Sequence, residues 1–242
     1  MSYDTACLNG RADSMPQADA LLRPERCFTA VRDPGSALTH FIAMAGTLAG
    51  AFPLLKRAAS DGGGVRTGAL LIFIASMFLL YTASTAYHTF DISPDVNRLL
   101  KKIDHMMISV LIAGSYTPVC LVVLGGDTGL RLLILVWGIA LAGIVMNIFW
   151  IGCPKWVSSA VYIAMGWCCL TAFGQILEAL PRAAFLWLLA GGLIYTAGGV
   201  IYALKLKRFN SAHRYFGSHE IFHLFVMGGS LCHYVMMYRF VA

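Results

Sequence analysis

Seven charge-poor runs constrain this chain more than any other feature of its sequence. Each is close to the roughly 20 residues that an α-helix needs to cross a bilayer's hydrocarbon core. They fall at about 36–55, 67–88, 104–124, 132–152, 157–177, 183–204 and 219–238. Strong breakers separate them: Asp61-Gly62-Gly63-Gly64, Ser93-Pro94-Asp95, Gly125-Gly126-Asp127, Cys153-Pro154-Lys155, Pro181-Arg182 and the basic stretch from Lys205 to Arg214. In lipid the backbone polar groups must be satisfied within the segment, so runs of this length read as helices. The expected fold is an all-α membrane protein, a seven-transmembrane helix bundle over residues 36–242. Only 12% of the residues are charged, about half the share of a typical soluble domain. Residues 1–35 mix Asp4, Asp13, Asp19, Glu25 and Asp33 with Arg11, Arg23, Arg26 and Arg32 and hold no apolar core. They read as a polar cytoplasmic tail rather than a secretory leader, with an amphipathic piece near 20–31.

Charge sets the expected orientation. With seven spans, twelve of the 18 Lys and Arg fall on the side of the N-terminal tail, and six (Lys56, Arg57, Arg66, Arg131, Arg182 and Arg239) on the other. Positive residues favour the cytoplasm, so the N-terminus is expected inside and the C-terminus outside. The net charge of +6 is explained by these loops and gives no ground for a nucleic-acid partner. The seven cysteines form no CxxC pair and mostly lie in apolar runs, so no disulfide framework is expected.

Parity then gathers polar residues at one membrane level. Helix 2 ends at His88, helix 3 begins near Asp104, and helix 7 begins at His219 and His223. His219 and His223 are four residues apart, on one helix face, a spacing that lets both rings reach one metal ion. His88 is the best candidate for a third ligand. Three neutral histidines with an open position make a catalytic type of zinc site, in which a bound water titrates near neutrality. Asp104 is placed to hold that water and take its proton. Ser84, one turn before His88, could donate to a substrate oxygen or a developing oxyanion. Together these parts suit metal-assisted hydrolysis of a lipid amide or ester, the substrate entering from the bilayer.

Plainer roles compete. Ser84 could bond back to a helical carbonyl, and Asp104 could cap helix 3. His40, His105 and His233 are alternative ligands, or interhelical or snorkelling groups. His219-Glu220-x-x-His223 also fits the zincin pattern, with Glu220 as base, but that pattern is short. Gly46/Gly50 and the glycines at 191, 192, 198 and 199 read as helix-packing sites. Pro118 within helix 3 should bend it and free a carbonyl. The five tryptophans suit interfacial belts or packing.

The stretches Ser36-Ala37-Leu38-Thr39-His40, Ser84-Thr85-Ala86-Tyr87-His88, Ile103-Asp104-His105, Ile112-Ala113-Gly114-Ser115-Tyr116-Thr117-Pro118 and Gly217-Ser218-His219-Glu220-Ile221-Phe222-His223 carry a resemblance. The chain resembles the bacterial hemolysin III family, within the wider group of progestin and adipoQ receptors and alkaline ceramidases. The resemblance runs from helix 1 to helix 7 and excludes the first 35 residues. It implies seven helices with zinc near the cytoplasmic side, held by His88, His219 and His223. It also implies a water held by Asp104, with Ser84 at the family's serine position, in a multi-pass protein of the bacterial inner membrane. Ceramidases of the group cleave the amide of ceramide, receptor members signal, and bacterial members are named for lysis. The leading expectation is a zinc-dependent hydrolase of lipid amide or acyl bonds with a membrane lipid as substrate or ligand. A receptor or membrane-state sensor with structural zinc is the alternative. A cytolysin or pore is a third; no regular polar stripe lines a wide channel, so a pore would need a homo-oligomer.

Overall fold

The computed structural model describes residues 31–61, 63–150, 153–204 and 216–242. The tail expected over 1–35 and its amphipathic piece lie almost wholly outside these residues. Among the described residues all regular structure is helical, and seven helices are long and apolar enough to cross a membrane. They are α1 (Pro34–Ser60), α2 (Gly64–Thr89), α3 (Pro94–Leu124), α4 (Gly126–Phe149), α5 (Lys155–Ala179), α6 (Arg182–Leu204) and α7 (Ser218–Val241).

The apolar runs locate every helix, but α3 starts at Pro94 rather than near Asp104. Its first turns carry Arg98, Lys101 and Lys102, which hide them from a hydropathy reading. The start is instead marked by capping chemistry. Ser93 Oγ accepts the Val96 N–H at 3.3 Å, Pro94 needs no partner for its nitrogen, and Asp95 favours the positive end of the helix dipole. Asp104 is therefore an interior residue of α3, not its cap.

The expected disturbance at Pro118 takes a definite form. The backbone widens into a π-helical stretch over Val119–Leu124, because proline supplies no N–H to the α-ladder. Gly125 N–H closes the stretch on the Cys120 carbonyl at 3.0 Å. Gly125 and Gly126 then turn the chain with φ of +59° and +50°, the left-handed region that glycine enters at little cost. Opposite, α5 tightens into a 3₁₀ stretch over Trp167–Ala172. Tyr116 joins the two irregular segments: its hydroxyl donates to the Gly166 carbonyl and accepts the Cys169 N–H at 3.0 Å.

Helices α2 and α3 form the centre. Buried residues make up 50% and 56% of their most apolar windows, against 17% in α1, α5 and α6, so the latter three chiefly face lipid. Phe52, Ile134 and Leu231, each more than 60% exposed, make an apolar outer surface that would be an aggregation site in water. Chain neighbours α1–α2, α2–α3, α3–α4 and α6–α7 pack together, and α7 also meets α1. That last contact brings the two ends of the bundle sequence together.

The glycines sort by contact. Gly50 meets the Tyr234 ring and its carbonyl accepts the Tyr234 hydroxyl at 2.9 Å, whereas Gly46 has open space where a side chain would go. The Gly46/Gly50 pair is thus not a two-residue packing motif. A Cβ on Gly114 would lie 2.2 Å from Ser76 Oγ, so α2 and α3 approach closely only because this residue is glycine. Gly114→Val should destabilise the bundle by about 1–3 kcal/mol through overpacking, while Gly46→Val should leave it unchanged. Thermal unfolding of the two detergent-solubilised variants checks this, and equal melting temperatures would contradict the packing described.

Candidate metal centre

The last turn of α2 and the first turns of α7 converge on three imidazoles. One nitrogen from each of His88, His219 and His223 lies within 4.8 Å of the others, and these residues could hold a metal ion. His88 and His223 are each only 2% exposed. The Nε2 atoms of His88 and His219 stand 3.2 Å apart. Two nitrogens bound tetrahedrally to one zinc at 2.0–2.1 Å would be separated by about 3.3 Å, so this pair already has the spacing an ion requires.

Residues at the start of α1 decide which ring nitrogens are free. Asp33 Oδ2 lies 3.0 Å from His88 Nδ1. A carboxylate can only accept, so Nδ1 carries the proton and Nε2 presents a lone pair. Thr39 acts in the same way on His223. Its hydroxyl donates to the Ser36 carbonyl at 2.9 Å and stands 3.2 Å from His223 Nδ1. With its own proton committed, Thr39 accepts from the ring, and His223 Nε2 is left for an ion. Such outer partners fix the orientation and tautomer of metal-ligating histidines. Backbone bonds hold this strand of chain to α2: Asp33 N–H donates to the His88 carbonyl at 2.9 Å and Arg32 N–H to that of Thr89 at 3.3 Å.

Glu220 serves a different purpose from the one the zincin pattern assigns it. One carboxylate oxygen accepts the Ser36 hydroxyl and the other the Gly217 N–H, at 2.8 Å. It caps the first turn of α7 and ties it to α1, and both oxygens are engaged by these donors.

Behind the rings lies a cavity of about 170 Å³. Its wall includes His219, His223, Ser84 and Asp104 at one end, and apolar side chains such as Leu80, Ile112, Val119, Phe173 and Leu188 beyond. Ser84 is 1% exposed and its hydroxyl has no hydrogen-bond partner, so it does not bond back to its own helix. Asp104 is 6% exposed, with Oδ2 3.4 Å from His105 Nδ1. His105 itself is occupied between helices: Nδ1 bonds the Lys101 carbonyl at 2.8 Å, and Nε2 approaches the Tyr202 hydroxyl at 3.3 Å. His40 stacks on His223 with centroids 3.6 Å apart and meets Tyr81 edge-on at 5.1 Å. His233 lies elsewhere along the cavity. His213 lies outside the described residues.

Asp33 and Thr39 are the site residues that sequence reasoning did not single out. Asp33 falls within the polar 1–35 segment and Thr39 within the first apolar span, where neither composition nor spacing marks it. The available signal was the family-matching stretch Ser36–His40, which contains Thr39 and lies three residues after Asp33.

A seven-helix membrane protein with a three-histidine site at one end of the bundle and an apolar cavity behind it is the class that these features define. The chain belongs to the haemolysin-III related family, whose match covers residues 28–234. It is 36% identical over 195 residues to the Hemolysin-3 of Bacillus cereus, covering 81% of this chain and 85% of that protein. It is likewise 36% identical over 203 residues to a Hemolysin-3 homolog of Bacillus subtilis (strain 168), covering 84% and 91%. A more distant similarity, 28% identity over 185 residues, links it to the Adiponectin receptor protein of Drosophila melanogaster, covering 64% of this chain and 40% of that one.

Removing the Asp33 carboxylate should loosen the His88 tautomer without removing a ligand. Asp33→Asn should weaken metal affinity about 10- to 100-fold, the usual cost of losing an outer-shell partner. Chelator competition on the purified protein measures it. Unchanged affinity would show that His88 is held by packing alone.

Proposed function

We propose that the protein is a zinc-dependent hydrolase of lipid amide or acyl bonds in the bacterial inner membrane. The N-terminus and the histidine end of the bundle then face the cytoplasm. The observation that supports this reading is the convergence of three ring nitrogens, with His219 and His223 on the wall of an apolar cavity that also carries Ser84 and Asp104.

The donor set suits zinc. Imidazole nitrogen is among its preferred ligands, three protein ligands leave one position open, and the His88–His219 spacing matches a tetrahedral arrangement. When bound there, zinc supplies a Lewis acid and lowers the pKa of water to about 7.

The chain's own residues supply the rest. Asp104 accepts the proton of the attacking water and holds it beside the scissile carbonyl. Ser84, with a hydroxyl committed to no other group, donates to the carbonyl oxygen as charge develops on it, where a fixed donor is most effective. The apolar walls take the acyl chain and exclude bulk water.

A second reading, a receptor or membrane-state sensor with structural zinc, is favoured by the bonds that α1 makes to His88 and His223 and by the similarity to the Drosophila receptor. In that case an ion would clamp α2 to α7, and ligand binding rather than turnover would be the output. The names of the Bacillus relatives also suggest lysis, which assays on liposomes loaded with dye would reveal.

Metal content decides the common ground. About one zinc per chain is expected, as a single three-ligand site requires, lost in His88→Ala and His219→Ala. Metal-free wild type, purified without chelators, would overturn both readings. The hydrolase is then separated from the receptor by Asp104→Asn, which should keep its zinc and lose hydrolysis of ceramides and other acyl amides by at least about 100-fold, within the range for general-base removal. Undiminished turnover in that variant would remove Asp104 from the mechanism.

A further inference from the structure

A second cleft, of about 50 Å³, opens at the histidine end of the bundle. It lies between the early turns of α3, the end of α4, the start of α5 and the end of α6. Lys101 and Lys102 of α3 and Lys155 of α5 line it, together with Asn147, Ser158 and Tyr202, which are all buried. The donors of these buried side chains are already committed. Asn147 Nδ2 donates to the Gly143 carbonyl at 3.0 Å and to the Tyr162 hydroxyl at 3.4 Å, and the Ser158 hydroxyl donates to Cys153 Sγ at 3.6 Å. His105 Nδ1 bonds the Lys101 carbonyl, which can only accept, so His105 Nε2 takes the Tyr202 hydroxyl proton. The Lys155 ammonium lies 4.3 Å from the centre of the Tyr202 ring, held against the wall of the cleft by cation–π attraction.

What the cleft offers is therefore positive charge. Among the described residues no carboxylate lines it. Asp104, 3.4 Å from His105 Nδ1, is on the wall of the main cavity instead. Other basic residues have acidic neighbours: Arg98 pairs with Asp95 at 3.6 Å and Arg131 with Asp127 at 3.9 Å. Lys101 and Lys102 have no such partner among the described residues. Gathering like charges is unfavourable until an anion joins them. Membrane topology explains why lysines occur at this end of the bundle. It does not explain why three of them, from two helices, line one cleft without an acid.

Size and position select the anion. One water needs roughly 10–15 Å³ of such space, so the cleft holds about one phosphate group and no bulky head. Lysine binds phosphate as a point charge. The cleft lies at helix ends, where the headgroups of one leaflet lie, and basic pockets between transmembrane helices are places where lipid phosphates bind. A phosphomonoester carries about −1.5 to −2 charges at neutral pH, whereas a diester carries a single one, so three lysines favour the monoester. We propose that this cleft binds the phosphate of an anionic membrane lipid, a monoester head more tightly than a diester. His105 and Tyr202 line both the cleft and the main cavity, and the Tyr202 ring is 5.9 Å from that of His219. The bound phosphate is thus one aromatic ring away from the candidate metal centre. The site is independent of whether that centre turns over a substrate.

The test is equilibrium binding of dioctanoyl lipids to the purified full-length protein in detergent at low salt. Wild type should bind dioctanoyl phosphatidate about 10- to 100-fold more tightly than dioctanoyl phosphatidylcholine, each lysine contributing at most about fivefold. Dioctanoyl phosphatidylglycerol, a diester, should fall between them. The triple variant Lys101→Gln/Lys102→Gln/Lys155→Gln should lose the preference. Arg66→Gln/Arg131→Gln/Arg182→Gln, which removes the same charge at the opposite end of the bundle, should keep it. Equal binding of phosphatidate and phosphatidylcholine by wild type would overturn the site whether or not the variants fold. A preference that survives in the lysine variant, or that the arginine variant loses equally, would do the same. Inorganic phosphate should bind more weakly than phosphatidate, having no acyl chains to bury; binding as tight as the lipid's would overturn a lipid as the occupant.

Discussion

A buried imidazole has two nitrogens to satisfy, and much of this structure follows from how that requirement is met for two rings at one end of the bundle. For His88 and His223 the accounting is explicit. Asp33 and Thr39 accept the Nδ1 protons, and the Nε2 lone pairs are turned inward. The acceptors come from the start of α1, 55 and 184 residues away in the chain. For them to arrive, α1 must pack against both α2 and α7. The Asp33 and Arg32 backbone bonds to α2 and the Ser36–Glu220 bond to α7 are the contacts that hold it there. The first helix, though it chiefly faces lipid, thus also sets the tautomers of two rings of the candidate metal site.

The cavity owes its shape to interruptions in otherwise regular helices. Pro118 forces a π-helical stretch in α3, and a 3₁₀ stretch in α5 faces it, the two joined through the Tyr116 hydroxyl. Irregular backbone at membrane depth is tolerated only where protein or a cavity surrounds it, and residues of both segments line this one. The close approaches between helices rest on small residues: Gly114 against Ser76, Gly198 against Phe225, Gly191 against His233 and Gly229 against Tyr195. Lipid is as apolar as the helices it solvates, so these contacts, rather than hydrophobic exclusion, distinguish one arrangement of the seven helices from another.

Some sequence signals carried through to the structure, and others failed for identifiable reasons. The i, i+4 spacing of His219 and His223 brings both rings to one point because helical periodicity is local. Pro118 disturbed its helix because the missing N–H belongs to the residue itself. Hydropathy places the start of α3 near Asp104, since charged residues in its first turns look like a loop; Ser93-Pro94-Asp95 carries the true signal. Glu220 matched a protease pattern, but its carboxylate is engaged by Ser36, whose approach no local pattern predicts. Gly46 and Gly50 looked equivalent, yet only Gly50 faces another helix.

The sequence by itself determined the number of spans, the helical class, the family, and the two helix ends from which the three histidines come. These follow from hydrophobic run length, from backbone satisfaction in lipid, and from residue types at short spacing. Only the tertiary structure decided that Asp33 and Thr39 bond two rings of the candidate metal site, that Glu220 is a cap, and that Ser84 and Asp104 share a cavity with His219 and His223. The physical reason is common to all of these. Each depends on which face of one helix meets which face of another, and in a membrane bundle small-residue contacts and single hydrogen bonds set that rotation. Their partners lie tens to hundreds of residues apart in the chain.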